Sequence, residues 1–218
     1  MIEEILPPAV SAVEAFADVE ATAALAEEIR QVANAVEKRR REFLTGRDCA
    51  HRALEGLGLE REPIPSGSRG EPIWPAGAVG SITHCDGYRA AVVGQARDFA
   101  SIGIDAEPLE PLPPGILEAI ALPAERAQLA GLAARDANVE WGRLLFCAKE
   151  AVYKAWFPLA GRMLGFEDAE LTFDRDRGSF HARLLVPGPR LDGVELRDLQ
   201  GRWLARGGHV LAAIALSR

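Results

Sequence analysis

Proline and glycine interrupt this chain so densely at two places that it must fold as short elements set between loops. The first interruption holds Pro63, Pro65, Gly67, Gly70, Pro72, Pro75 and Gly77, and the second holds Pro108, Pro111, Pro113, Pro114 and Gly115. Proline lacks a backbone donor and fixes φ, so such runs cannot lie inside a helix or a central strand. Residues about 12–58 contain no proline and are rich in Ala, Glu, Leu and Arg, which predicts helix ending near Gly56 and Gly58. Val79–Thr83 and Tyr88–Gly94 read as strands around a turn at Cys85–Gly87, and Ser101–Glu107 as a third strand running into the second break. Helical patterns return at about 115–134 and 139–157, the latter stopped by Pro158. From Glu167 to Arg218 strand-like runs alternate with turns, and Gly201–Ala205 pairs with Val210–Leu216 through Gly207-Gly208. Each half then holds helices and an apolar hairpin. The expected fold is α+β, with two similar α/β lobes at residues 1–107 and 108–218 that form one unit by approximate internal duplication.

At 218 residues, 48% hydrophobic and 26% charged, the chain can bury a sizeable core. No apolar run approaches the roughly 20 residues that span a bilayer. Met1–Val10 carries Glu3 and Glu4 and lacks a basic, secretory start, so a cytoplasmic protein without a membrane partner is expected. Cys49, Cys85 and Cys147 form no C-x-x-C pair, which argues for packed, reduced thiols over a disulfide framework or structural zinc. The net charge of −7 speaks against nucleic-acid binding. Basic residues nevertheless cluster at Lys38-Arg39-Arg40-Arg41, Arg47 and Arg52, where an anionic ligand would be met, unless the run is simply a solvated helix face.

Side chains alternate along Ser101–Glu107, so Asp105 and Glu107 share one face while Ile102, Ile104 and Ala106 share the other. Two carboxylates on one strand end suit Mg²⁺, which takes one or two carboxylates plus water and phosphate oxygens; a solvated acidic strand end is the plainer alternative. In the helix over 141–157, Trp141, Leu144, Leu145, Ala148, Val152 and Ala155 form the core stripe. Opposite them stand Arg143, Cys147, Glu150 and Lys154. Glu150 and Lys154 are spaced for a surface ion pair worth about 0.2–0.5 kcal/mol, or for a third metal carboxylate beside a phosphate-holding lysine. The loop Pro65–Pro72 could bring backbone N–H groups and Arg69 close to a phosphate, although it lacks the P-loop spacing. His84 could donate to the same group or serve as a structural hydrogen-bonder. It does not activate Cys85, because neighbours on a strand point to opposite faces.

Three segments give these signals a common meaning: Val79-Gly-Ser-Ile-Thr-His-Cys85, Ile102-Gly-Ile-Asp-Ala-Glu107 and Phe146-Cys-Ala-Lys-Glu-Ala-Val-Tyr-Lys-Ala155. With Lys38-Arg-Arg-Arg-Glu-Phe-Leu-Thr45 and Arg69-Gly-Glu-Pro72, the chain resembles the surfactin-synthetase-activating (Sfp-type) phosphopantetheinyl transferases over most of residues 38–170. The likeness is to their actinobacterial and enterobactin-type branch. The resemblance implies Mg²⁺-dependent transfer of 4′-phosphopantetheine from coenzyme A to a serine of an acyl or peptidyl carrier protein. A nucleotide or diphosphate hydrolase and a non-catalytic coenzyme A-binding module are the competing readings. It further implies that Asp105, Glu107 and Glu150 hold the metal (Mg²⁺, with Mn²⁺ as the alternative) near Ala106, and that Lys154 contacts the pyrophosphate. Asp105, Glu150 and Lys154 would form the catalytic set. Arg39, Arg47, Arg69 and His84 would grip the 3′-phosphoadenosine end, assisted by Thr83 and by Ser66, Gly67 and Ser68. Ser66 stands where relatives often carry a basic residue. Tyr153, Met163, Leu164 and Phe166 would line the pantetheine path, in a monomer whose site lies between the two lobes.

Overall fold

The computed structural model describes residues 1–19 and 24–218, and it sorts the short β-prone runs into two main antiparallel sheets. The first has the order β1 (Ser11–Ala15), β3 (Tyr88–Gln95), β2 (Ala78–Cys85). The second has the order β4 (Phe99–Pro108), β10 (His209–Ser217), β9 (Asp198–Arg206), β6 (Ser179–Leu184), β5 (Ala169–Asp174). A two-stranded hairpin of β7 (Arg190–Leu191) and β8 (Val194–Glu195) stands apart. Helices α1 (Ala26–Gln31) and α2 (Glu37–Gly56) accompany the first sheet, and α3 (Ile116–Ile120), α4 (Pro123–Arg135) and α5 (Trp141–Ala160) the second. This is the expected mixture of helices and antiparallel sheets. Gly207 and Gly208 turn the β9–β10 hairpin with φ of +61° and +80°, the pair of left-handed residues that a type I′ turn requires. Among the described residues no helix is long and apolar enough to cross a membrane.

Three local expectations are corrected. The stretch 12–58 is not continuous helix: Ser11–Ala15 is strand β1, paired with β3 from Ser11↔Val93 to Ala15↔Arg89. A backbone ladder along an open sheet edge outweighs the helix propensity of an Ala-Val-Glu-Ala run. Within that stretch residues 20–23 lie outside the described residues, and helix proper occupies only α1 and α2. The segment 115–134 divides at Ala121-Leu122, because the residue before Pro123 is pushed out of the α region; Leu122 has φ −65° and ψ 155°. Pro158 does not stop α5. It forgoes a bond in the last turn, and the helix runs on to a left-handed Gly161 whose N–H donates to Phe157 O at 2.9 Å.

The two sheets meet along β2 and β4. Ile104 N donates to Ser81 Oγ and Ala106 N to Thr83 Oγ1, each at 3.1 Å. Both bonds join residues 23 apart, so the strands run parallel here, with hydroxyls in place of a backbone ladder. Strand β4 is consequently covered on both faces. Ile102, Ile104 and Ala106 enter a core with Ile2, Tyr88, Phe99 and Leu211, whereas the opposite face lies on α5. Closeness on that side depends on Gly103, where a Cβ would stand 2.2 Å from Ala151 O and 2.5 Å from Ala155 N. Ser101 Oγ, on the same face, donates to Ala155 O at 2.7 Å.

Two substitutions test this junction by urea unfolding. Gly103→Ala forces strand and helix apart and should cost about 3 kcal/mol, near the top of the usual overpacking range. Thr83→Val removes an acceptor from a buried N–H and should cost about 1–3 kcal/mol, while Thr83→Ser should recover most of it. A Gly103→Ala protein as stable as the parent would mean that the helix and strand do not pack this closely.

Candidate active site

Strand β4 presents Asp105 and Glu107 to α5, and α5 answers with bases. Asp105 is buried; its Oδ1 accepts from Lys154 Nζ at 2.7 Å and from Thr83 Oγ1 at 3.0 Å. Lys154 also donates to Ile82 O at 3.3 Å. Its partner is therefore Asp105 on the strand, and the surface pair with Glu150 does not form. Glu107 accepts from Arg143 Nη1 at 3.0 Å, and the same guanidinium reaches Glu110 O and Pro111 O, tying the proline-rich break to the site. The face of α5 expected to look outward is thus packed, and Cys147 on it is wholly buried, its Sγ 3.6 Å from Val210 O.

The carboxylates perturb one another. Burial and then the neighbouring Asp105 push both Glu107 and Glu150 above the usual carboxylate range, with Arg143 and Lys154 pulling Glu107 back and Lys154 alone opposing at Glu150. Among the described residues Glu150 has no hydrogen-bonding partner, and Asp105 Oδ2 is buried without one. No group of three or more Asp, Glu, His or Cys among the described residues is arranged to enclose a metal by itself. The donor set nonetheless fits a hard divalent cation. An orphaned buried carboxylate oxygen and two repelled carboxyls are what a cation would satisfy, and Mg²⁺ usually completes its octahedron with water and phosphate. The Ala106 methyl is turned into the core. Because its N–H faces β2, its carbonyl does too, and only that carbonyl could contribute.

Three recesses follow one another around α5. The first, about 200 Å³, is lined by Arg39, Arg47, Thr83, His84, Asp105 and Lys154. The second, about 180 Å³, takes Lys154 with Arg69, Trp74, Ser81, Tyr153 and Phe157. The third, about 310 Å³, takes Tyr153 with Glu150, Met163, Leu164 and Phe166.

Arg39 Nη1 lies 2.6 Å from His84 Nε2, and since arginine can only donate, that nitrogen accepts and His84 is neutral. Burial and the Arg39 charge both hold its pKa below the ordinary histidine value. Arg47 is buried; its Nε donates to Ile64 O at 2.9 Å and its Nη2 to Ser66 Oγ at 3.1 Å, and burial lowers its pKa to about 10. The rest of the basic run is occupied locally, Lys38 near Glu42 and Arg40 and Arg41 near Glu37. In the loop, Gly67 N bonds to Glu71 O and Arg69 N to Glu71 Oε2 at 2.9 Å, while Ser68 is exposed at the tip. Cys85 is no nucleophile: burial and the nearby Glu107 and Asp105 raise its thiol to about 12.

Sequence reasoning missed Lys149. It is buried, 2.9 Å from Glu125 Oε2, and its Nζ donates to Phe166 O and Ala169 O at 2.5 and 3.1 Å, anchoring the wall of the third recess. A signal existed, because Lys149 falls four residues after Leu145 and three before Val152, on the apolar stripe. Glu28 and His51, buried beside the loop, carried no such signal.

Comparison with known families places the chain among its relatives. Residues 27–94 match the 4′-phosphopantetheinyl transferase N-terminal domain, and residues 101–212 match the 4′-phosphopantetheinyl transferase superfamily. The chain is 56% identical to 4′-phosphopantetheinyl transferase Svp of Streptomyces mobaraensis, over 88% of this chain and 78% of that one. It is 49% identical to PptT of Mycobacterium tuberculosis, over 99% and 98% of the two chains. It is 50% identical to Npt of Nocardia iowensis, over 99% of each. Matched along both segments and aligned nearly end to end with such relatives, the chain belongs to the 4′-phosphopantetheinyl transferase superfamily.

Proposed function

We propose that this chain transfers the 4′-phosphopantetheine arm of coenzyme A to a serine hydroxyl of an acyl or peptidyl carrier protein, releasing adenosine 3′,5′-bisphosphate. The observation that carries the site assignment is the buried Oδ2 of Asp105, unpartnered among the described residues, with Asp105 coupled to Glu107 and Glu150. In the reaction the serine oxygen bonds to the phosphorus that bears pantetheine, the pyrophosphate P–O bond breaks, and the serine proton passes to a base. Glu150 suits that task. It is half-buried, free of hydrogen-bonding partners among the described residues, and raised toward the working pH, where a general base acts best. Lys154, held by Asp105 at the head of the first two recesses, would meet the pyrophosphate and stabilise the charge left on the departing bisphosphate.

Mg²⁺ (or Mn²⁺) held by Asp105, Glu107 and Glu150, with the Ala106 carbonyl nearby, would neutralise pyrophosphate charge when bound. Arg39, Arg47 and His84 would take the 3′-phosphate in the first recess, with Arg69 and the Ser66–Ser68 loop beside them. Leu164, with Tyr153, Met163 and Phe166, would enclose the pantetheine arm in the third. We read residues 1–107 and 108–218 as two similar lobes working as one unit. A helix packed on a sheet in each half supports this, α2 on the first sheet and α5 on the second, with β4 of the first half crossing over as the edge strand of the second sheet.

Intact mass of an apo carrier protein, incubated with the enzyme, coenzyme A and Mg²⁺, tests the reaction. One phosphopantetheinyl group should be gained, and the gain should vanish with EDTA or a serine-to-alanine carrier. Asp105→Ala and Glu150→Gln should each lower the rate at least about 100-fold, the scale of losing an acid–base or charge-stabilising group. Parent-like turnover in both would remove these residues from the chemistry.

His84 makes a separate prediction. A phosphate beside it would raise its pKa above the depressed value of the free protein. The resulting gain in coenzyme A affinity is complete below the free-protein pKa and is lost as pH rises through the bound-state pKa. Calorimetric titration across that range should show proton uptake on binding, and His84→Asn should abolish it. Unchanged uptake in the variant would assign the proton to another group.

A further inference from the structure

The segment Ile64–Ser66 is gripped by side chains from two helices. From α1, Glu28 Oε1 accepts Ile64 N at 3.1 Å and Gln31 Oε1 accepts Ser66 N at 2.9 Å, side chains three residues apart on the helix taking alternate N–H groups of an extended segment. From α2, Arg47 donates to Ile64 O and to Ser66 Oγ. The same Glu28 oxygen accepts from His51 Nε2 at 2.8 Å, and both side chains are completely buried. Among the described residues His51 Nδ1 has no partner, so the proton belongs on Nε2 and only the Nδ1 lone pair is left unmet.

The charge arrangement is as informative as the geometry. Arg47 is buried yet makes no direct ion pair among the described residues; its protein partners are a carbonyl, a hydroxyl and the Phe43 ring, whose centroid is 4.4 Å from Cζ. Glu28 is the carboxylate that supports its charged form without touching it, bonded to Ile64 N while Arg47 takes Ile64 O, and Arg39 opposes it. A carboxylate touching the guanidinium would occupy the donors an incoming phosphate needs. Held at one remove, it offsets the burial of the cation and leaves Nη1 without a protein partner in the recess.

We propose that Glu28, seated by His51 and helped by Gln31, is a positioning residue for coenzyme A. It sets Ile64–Ser66, and through Ile64 O and Ser66 Oγ holds Arg47 open toward the 3′-phosphate. The inference rests on the assignment of Arg47 to that phosphate. The short helix α1 is then part of the substrate-binding apparatus although none of its residues touches the ligand.

Steady-state kinetics with coenzyme A and with 3′-dephospho-coenzyme A, at saturating carrier, test it. Arg47→Ala should raise KM for coenzyme A and leave KM for the dephospho form nearly unchanged. Glu28→Leu should do the same, by about tenfold, with kcat within about twofold, because uniform binding is what is lost. Glu28→Gln keeps the hydrogen-bonding oxygen and should return KM to within about threefold of the parent. A variant that is merely less folded would lower kcat for both substrates and leave the KM ratio intact. Should Glu28→Leu fail to fold, Gln31→Ala, which loses only the Ser66 N–H bond from an exposed position, should still raise the coenzyme A KM about threefold. Arg47→Ala raising KM while the Glu28 and Gln31 variants do not would overturn the positioning role alone. An unchanged KM in Arg47→Ala would overturn the phosphate assignment and this inference with it.

Discussion

Strand β4 lies with both faces buried, and the closeness of one face to α5 is what the rest of the site depends on. Gly103 lets the strand backbone settle against Ala151 and Ala155, and Ser101 bonds to the helix two residues earlier. Asp105 follows two residues later on the same face, opposite Lys154, and Glu107 follows again, opposite Arg143. Each side chain meets its partner because the alternation of the strand is held against the turns of the helix at one close contact. The seam with β2 completes the arrangement. Thr83 accepts from the backbone of Ala106 and donates to Asp105, so one hydroxyl joins the sheets and orients the carboxylate.

Burying acids this way is costly, and the structure offsets only part of the cost. Lys154 and Arg143 meet two of the three carboxylates, while Glu150 and one oxygen of Asp105 have no hydrogen-bonding partner among the described residues. An unsatisfied buried polar atom costs about 1–3 kcal/mol, which a fold tolerates where something else makes use of it. A cation brought in with a diphosphate would relieve that strain. Burial, and then the repulsion of Asp105, raises Glu150, which would suit it to act as a base.

A protein with a net charge of −7 meets a polyanionic substrate by local arrangement. Arg39 beside a neutral His84, Arg47 with its balancing carboxylate held on the Ile64 N–H, and Lys154 shared between two recesses put positive charge along one cleft. Acidic residues of the basic helix, Glu37, Glu42 and Asp48, take up its remaining cations.

Much of this was legible in the chain itself. Proline and glycine placement divided it into elements, alternation in β4 separated the apolar from the acidic face, and the helical period of α5 set Glu150 and Lys154 on one side. Those are local properties, fixed by backbone geometry over a few residues. Strand β1 was not legible, because its five residues pair with β3 more than 70 positions away, and only that ladder outweighs their helix propensity. Nor was the choice of Lys154 for Asp105 over Glu150, the seating of Lys149 under the third recess, or the grip of Glu28 on Ile64–Ser66. Each is a contact between distant segments, decided by which groups close packing leaves within reach and which it shuts away from water. The sequence by itself determined the elements, the faces and the chemical inventory. The tertiary structure decided which charges are paired, which are left open, and therefore where a phosphate or a cation would be received.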